Sequence, residues 1–169
     1  MSLVKKKICM IGDFAVGKTS LTQRFVKQMF SEQYLTTIGV KIDTKTVVLT
    51  DGQECKAVVW DVAGRDSLTP LQTNYLIGAS AFMLVVDVTR RDSIESMKFL
   101  IDSTRQQLPD APFIILLNKW DMGDQIIFND KDQDFLNKNQ WQFVYTSAKT
   151  GKNVENAFFQ LIELTMKSN

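Results

Sequence analysis

Residues 12–19 read Gly-Asp-Phe-Ala-Val-Gly-Lys-Thr and directly follow an apolar run, Ile-Cys-Met-Ile at 8–11. The spacing G-x-x-x-x-G-K-[ST] between a strand and a helix is typical of a phosphate-binding loop. Its glycines let successive backbone N–H groups point at an anion, and the next helix adds the positive end of its dipole. Lys18 would supply charge to the terminal phosphates and Thr19 a hydroxyl to Mg²⁺. The alternative is an accidental loop match.

Size and composition favour one domain over residues 1–169, with no linker, repeat or low-complexity segment. The net charge of +1 gives no case for a nucleic-acid partner, and the basic run at 5–7 is most simply a solvated lead-in to a strand. Cys9 and Cys55 lie in apolar stretches, so we expect reduced core thiols and a cytoplasmic setting. The chain has no histidine, which excludes histidine catalysis and histidine metal sites.

The remaining pattern alternates strands and helices. After the first strand and the loop, the spacing of Leu21, Phe25 and Met29 predicts a helix over 17–28. Asp51-Gly52 is a hairpin signal between two segments rich in β-branched residues, which predicts antiparallel neighbours. We predict strands at 4–11, 40–50, 54–61, 81–87, 113–117 and 142–146, and helices that begin at Asp92, with a box-like cap to Glu95, and near Val154.

This order predicts an α/β fold: a six-stranded mixed sheet, five strands parallel and one antiparallel at an edge, with helices on both faces. In such sheets ligands bind at the carboxyl ends of the strands. Three further short motifs fall at those ends: Asp-Val-Ala-Gly at 61–64, Asn-Lys-Trp-Asp at 118–121 and Ser-Ala-Lys at 147–149.

Each motif has a chemical interpretation. Asp61 could hold Mg²⁺, and the N–H of Gly64 could reach a terminal phosphate. The Asp121 carboxylate could accept paired hydrogen bonds from guanine N1–H and its 2-amino group, a donor pair that adenine lacks. A backbone N–H at 147–149 could reach guanine O6. Taken singly, each motif could be a plain or capped turn; in this order, each at a strand end, they indicate a guanine-nucleotide site.

In these motifs, and in Tyr-Leu-Thr-Thr-Ile-Gly-Val at 34–40, the chain resembles the Ras superfamily of small GTPases, in particular its Rab-like branch, over essentially its whole length. The resemblance implies a P-loop G domain that binds GTP or GDP with Mg²⁺ and contacts effectors and regulators through switch I (30–40) and switch II (62–77). Leu68, Leu71, Tyr75 and Leu76 would form an apolar partner surface in switch II or pack on the sheet.

The resemblance also assigns residues. Metal ligands would be Thr19, Thr37 and Asp61, and the hydrolytic centre would include Thr37, Gly64 and Arg65. Phe30 would lie against the guanine, or be a core or exposed aromatic, and Thr37 would be the switch I threonine or an ordinary strand residue. The nucleotide would contact Asp13, Phe14, Ala15, Val16, Gly17, Lys18, Thr19, Ser20, Phe30, Tyr34, Thr37, Gly64, Asn118, Lys119, Asp121, Ser147, Ala148 and Lys149.

Two departures from the family fall on the hydrolytic centre. Arg65 stands where most members carry a glutamine that orients the attacking water, and arginine has no acceptor. Phe14-Ala15 replaces the usual small residues and would crowd the γ-phosphate. Both predict slow intrinsic hydrolysis. Arg65 could instead reach the phosphates as an arginine finger in cis, or be a solvated or partner-binding residue.

The chain ends at Asn169 without a prenylation cysteine, so either a tail has been removed or the protein is unanchored, and we expect no membrane anchor in this chain. This ending, the Phe14-Ala15 pair and Asp124-Gln125 are similar to Rab-like GTPases encoded by bacteria. The leading function is a GTP/GDP switch. The alternatives are a guanine-nucleotide-binding interaction module with little hydrolysis and an ATP-using kinase on a P-loop scaffold, which Asp121 disfavours.

Overall fold

The structure, a computed structural model, describes residues 3–32, 37–64 and 69–167. Its strands are β1 (Val4–Gly12), β2 (Val40–Val48), β3 (Glu54–Val62), β4 (Ala81–Asp87), β5 (Phe113–Asn118) and β6 (Phe143–Tyr145). Its α-helices are α1 (Lys18–Lys27), α2 (Pro70–Tyr75), α3 (Arg91–Gln107), α4 (Asp130–Lys138) and α5 (Val154–Lys167), and a 3-10 helix covers Trp120–Gln125.

The strands form one sheet in the order β2-β3-β1-β4-β5-β6. Only the β2–β3 pair is antiparallel among the pairs of this sheet, so the predicted mixed sheet with an antiparallel edge is confirmed. The hairpin closes where predicted: Gly52 has φ 86°, and its N–H donates to the carbonyl of Leu49 at 2.9 Å. A left-handed conformation of this kind suits glycine.

Both faces of the sheet are covered, as the continuous apolar strands predict. One core cluster joins the sheet to α1 and α5, where the rings of Phe25 and Phe158 stack 4.1 Å apart. The other joins the opposite face to α3 and α4 through side chains such as Ile101 and Leu136. β4 is buried along its whole length because helices cover it on both sides.

Two local predictions are wrong. Met29 does not continue the buried face of α1: Gln28 adopts a left-handed conformation (φ 53°) that ends the helix, and Met29 is 61% exposed. Asp92 does not cap α3, because the helix already begins at Arg91. Asp92 instead lies in the first turn, where a negative charge favours the helix dipole.

Three short elements were not predicted from the sequence: α2, α4 and the 3-10 helix. α4 carries a readable signal, since Asn129 and Asp132 form a reciprocal capping box at its start. Its mostly polar composition hides the helical period, because only Leu136 is buried. Within the described ranges, no helix is long and apolar enough to cross a membrane.

Candidate nucleotide-binding site

The loops at the carboxyl ends of β1, β3, β5 and β6 surround a cavity of about 830 Å³. Its volume falls in the range of small-molecule sites. Its lining comprises Phe14, Ala15, Gly17, Lys18, Thr19, Ser20, Gln23, Met29, Phe30, Ser31, Glu32, Thr37, Lys41, Ala63, Gly64, Asn118, Lys119, Asp121, Met122, Ala148 and Lys149. The four predicted motifs therefore meet around one cavity.

The loop 12–19 wraps the amino end of α1 as its glycines predict. Gly17 caps the helix with φ 107°, and a Cβ there would lie 2.3 Å from Nδ2 of Asn118. The loop and the Asn-Lys-Trp-Asp segment are thus in close contact at this point. The orphan N–H groups of the first turn of α1 face the cavity end where phosphate groups would lie.

Lys18 is 6% exposed and donates to the carbonyls of Gly12 (3.0 Å) and Asp13 (2.8 Å). Burial, and to a smaller extent the charge of Arg90, lowers the pKa of its ammonium group to about 8 against the opposing effect of the Asp61 and Asp13 charges. Bound phosphates would supply the negative charge that a buried ammonium group needs.

Three oxygen-bearing side chains converge beside Lys18. The hydroxyl of Thr19 donates to Oδ2 of Asp61 at 2.5 Å and lies 2.6 Å from the hydroxyl of Thr37. Burial raises the pKa of Asp61, while the hydrogen bond from Thr19 and the charge of Lys18 lower it. Of the three residues predicted as metal ligands, Thr19 therefore contacts both of the others.

This arrangement fits Mg²⁺. Oδ1 of Asp61 is buried and has no hydrogen-bond partner among the described residues. A single carboxylate with hydroxyl groups and phosphate oxygens is the oxygen-rich set that Mg²⁺ prefers. Among the described residues no cluster of three or more histidine, cysteine or acidic side chains occurs.

Gly64 packs directly on the loop 12–19. A Cβ at this position would lie 2.6 Å from Nζ of Lys18, 2.7 Å from the carbonyl oxygen of Asp13 and 2.8 Å from Cα of Phe14. Two of these three atoms belong to backbone and cannot easily move. The position therefore requires glycine, and it places the Gly64 segment at the phosphate end of the cavity.

At the other end, Asn118 ties two loops together. Its Nδ2 donates to the carbonyl of Val16 at 3.0 Å, and its Oδ1 accepts from the N–H of Ala148 at 3.3 Å. Ser147 donates its hydroxyl hydrogen to Oδ1 of Asp121 at 2.7 Å, which orients that exposed carboxylate. Ser147 is itself buried, so its side chain supports Asp121 through this hydrogen bond.

Lys119 joins the Asn-Lys-Trp-Asp segment to the loop 12–19. Its ammonium group donates to the carbonyl of Ala15 at 3.0 Å and lies 2.8 Å from Oδ2 of the buried Asp87. The side chain of Val16, in contrast, is buried in the core. Among the described residues of the predicted nucleotide set, three do not line the cavity: Asp13, Val16 and Ser147.

Two arginines at the site were not predicted from the sequence. Arg24 of α1 donates to the carbonyl of Ala148 at 2.8 Å and to that of Lys149, and so fixes the 147–149 loop. Arg90, just before α3, donates to the carbonyl of Phe14 at 2.7 Å and to the Asp13 carboxylate at 3.2 Å. A single sequence holds no signal for these contacts, because each joins segments at least 76 residues apart.

Phe14 is 47% exposed and Phe30 36% exposed at the cavity. Tyr34, Arg65 and Leu68 lie outside the described residues, and so does the side chain of Leu71. Of the remaining switch II residues, Leu76 is buried in the core and Tyr75 packs against it. For Leu76, packing on the sheet is therefore the structural role.

Comparison with known proteins shows the family of the chain. The sequence model of the Ras family matches residues 7–167. The chain is 37% identical over 158 residues to the Ras-related protein RABA4d of Arabidopsis thaliana, covering 92% of this chain and 71% of the relative. It is 36% identical over 157 residues to human Ras-related protein Rab-8B, covering 92% and 75%. For Rab-10 of Diplobatis ommata the identity is 35% over 159 residues, covering 93% and 79%. The chain belongs to the Ras superfamily of small GTPases, in its Rab-like branch.

Proposed function

We propose that residues 1–169 act as one G domain that alternates between GTP-bound and GDP-bound states, hydrolyses GTP slowly without a partner, and contacts effectors and regulators through switch I and switch II. The observation that carries this proposal is a single cavity lined by Thr19, Thr37 and Asp121, in which the Thr19 hydroxyl contacts that of Thr37 and bonds to the buried Asp61 carboxylate. A guanosine phosphate has complementary groups at its two ends.

The chain's own groups divide the work. Lys18 and the N–H groups of the first turn of α1 would bind the terminal phosphates, and Asp121 would select guanine through paired acceptors. Mg²⁺, held by Thr19, Thr37 and Asp61, would offset phosphate charge. Gly64 lies within backbone contact of the phosphate loop, so its N–H could respond to the γ-phosphate and couple it to switch II.

Slow hydrolysis rests on two residues. Phe14 places an aromatic ring at the phosphate end of the cavity, and Arg65 lacks the acceptor with which a glutamine orients water. The partly exposed Phe14 favours a second candidate function, a guanine-nucleotide-binding interaction module with little or no hydrolysis. Single-turnover hydrolysis of γ-labelled GTP separates the two functions.

The nucleotide in the purified protein tests the proposal as a whole. We expect GDP or GTP after denaturation and chromatography, and displacement of a fluorescent guanine nucleotide by GTP but not by a thousandfold excess of ATP. Equal competition by ATP would overturn guanine recognition by Asp121. A cytoplasmic location belongs to the same proposal: Cys9 and Cys55 are both buried free thiols, as in proteins of reducing compartments.

A further inference from the structure

Arg90 makes two contacts with the outer half of the phosphate loop. One guanidinium nitrogen donates to the carbonyl of Phe14 at 2.7 Å, and another lies 3.2 Å from Oδ2 of Asp13. Its Nε also lies 3.3 Å from the exposed carboxylate of Asp92. The Arg90 side chain is 30% exposed, and these contacts place its charge beside the loop.

The contact with Asp13 matters because it places an acidic side chain within the loop 12–19. Its side chain is 13% exposed, and its Oδ1 accepts from the N–H of Phe14 at 2.7 Å. The carbonyl of the same residue accepts from Lys18. A carboxylate is thus built into the loop that would hold the polyphosphate, where its charge repels anions. Arg90 is the cation paired with that carboxylate.

We propose that Arg90 is a specificity-determining residue that neutralises Asp13 and thereby permits tight binding of a nucleoside triphosphate relative to the diphosphate. The inference rests on the proposed function of the cavity. It follows from the contacts of this segment: Phe14 lines the cavity, and a Cβ on Gly64 would lie 2.7 Å from the carbonyl oxygen of Asp13 and 2.8 Å from Cα of Phe14, at the end where phosphate groups would bind. The triphosphate carries more negative charge than the diphosphate at this end of the cavity. An unpaired Asp13 carboxylate would therefore weaken the binding of the triphosphate more than that of the diphosphate.

A different role would be purely mechanical, in which Arg90 tethers the Phe14 carbonyl and the loop conformation alone matters. The two accounts differ in how charge affects binding. In the electrostatic account, removing the Asp13 charge compensates for the loss of Arg90. In the mechanical account it does not, because the contact with the Phe14 carbonyl stays broken.

The test measures dissociation constants for GDP and for a non-hydrolysable GTP analogue, both with Mg²⁺, in wild type, Arg90→Gln, Asp13→Asn and Asp13→Asn/Arg90→Gln. Arg91→Gln is the matched control, because the neighbouring Arg91 pairs with Asp132 instead. We expect Arg90→Gln to lower the preference for the triphosphate by roughly tenfold or more. The double variant should restore the preference, and Arg91→Gln should leave it unchanged.

An equal loss for both nucleotides in Arg90→Gln, or a double variant no better than Arg90→Gln, would overturn the inference. Should Arg90→Gln not fold, Asp13→Asn alone decides, because the triphosphate preference must then rise above the wild-type value. A wild-type protein that binds neither nucleotide would instead refute the proposed function. A wild type that binds both, with variants of unchanged preference, refutes only the role of Arg90.

Discussion

The hydroxyl of Thr19 donates to the carboxylate of Asp61 at 2.5 Å, although 42 residues separate them in the chain. Thr19 lies in the first turn of α1 and Asp61 near the end of β3, so the contact joins the two segments that would share the metal. The buried Oδ1 of Asp61 remains without a hydrogen-bond partner among the described residues. Mg²⁺ binding would therefore depend on Thr19 and Asp61 together.

Thr19→Asn should bind GDP in preference to GTP by roughly tenfold, because the γ-phosphate depends most on Mg²⁺ to offset its charge. Isothermal titration calorimetry with Mg²⁺ and with EDTA measures this. Thr150→Asn, an exposed threonine change outside the metal region, serves as the control. Equal affinities for GTP and GDP in Thr19→Asn under both conditions would argue against the metal role.

Asp121→Asn should weaken GTP by roughly 2–4 kcal/mol and favour xanthosine triphosphate, because the variant loses a charge-assisted pair of acceptors. Competition of both nucleotides against a fluorescent guanine nucleotide gives the two affinities. Asp124→Asn, in the same 3-10 helix, is the control. The base-pocket assignment is wrong if Asp121→Asn retains wild-type affinity for GTP.

Gly64→Ala should weaken the GTP analogue by about 1–3 kcal/mol, because its Cβ would overlap backbone atoms of Asp13 and Phe14. Gly78→Ala is the control: a Cβ there meets nothing within 4 Å, but its φ of 78° is strained for alanine. That control should lower the melting temperature without changing nucleotide affinity. Unchanged affinity in Gly64→Ala would show that this segment does not report on the phosphate.

Intrinsic hydrolysis should occur at or below the order of 10⁻⁴ s⁻¹ seen for a small GTPase without its activator. If Arg65 has no catalytic role, Arg65→Gln should hydrolyse GTP faster than the wild type. If Phe14 still blocks the water, the increase should appear only in the double variant Phe14→Gly/Arg65→Gln. If Arg65 acts as a finger in cis, Arg65→Gln and Arg65→Ala both lose roughly 10²-fold or more.

Single-turnover rates of the wild type and these three variants decide between the two roles. A wild-type rate far above about 10⁻⁴ s⁻¹ that Arg65→Ala leaves unchanged would contradict both roles of Arg65 and require another water-positioning group. Lys138→Ala, an exposed change at the end of α4, controls for general effects on the protein.

Cys9 provides a pH prediction. Burial raises the pKa of its thiol to about 12, so the native thiol stays protonated at pH values where an unfolded thiol, with a pKa near 8.5, ionises. The unfolded state then binds fewer protons, and the free energy of unfolding falls as pH rises from about 9 toward 12.

Urea unfolding at pH 8 and pH 10 measures the effect for wild type and Cys9→Ala. The decrease should be smaller in Cys9→Ala, by about 2 kcal/mol. Rapid native labelling of Cys9 by a thiol reagent at pH 8 would contradict the burial on which the prediction depends.

The sequence alone determined the sheet, its antiparallel edge and the family, because apolar strands, a hairpin signal and four ordered motifs are local patterns. It also determined which motifs face the cavity, since the carboxyl ends of parallel strands share one edge. It failed at Met29, where a single left-handed residue ended α1, and at α4, whose buried face is too narrow to show a period.

Only the tertiary structure decided which side chains hold the loops in place. Arg24 fixes the 147–149 loop, Arg90 pairs with Asp13, and Asn118 joins Val16 to Ala148. A single polar or charged residue shows no periodic pattern in the sequence, and its side chain can bond to any partner within reach. The partner is chosen by chain segments that the fold brings together, so the sequence cannot name it.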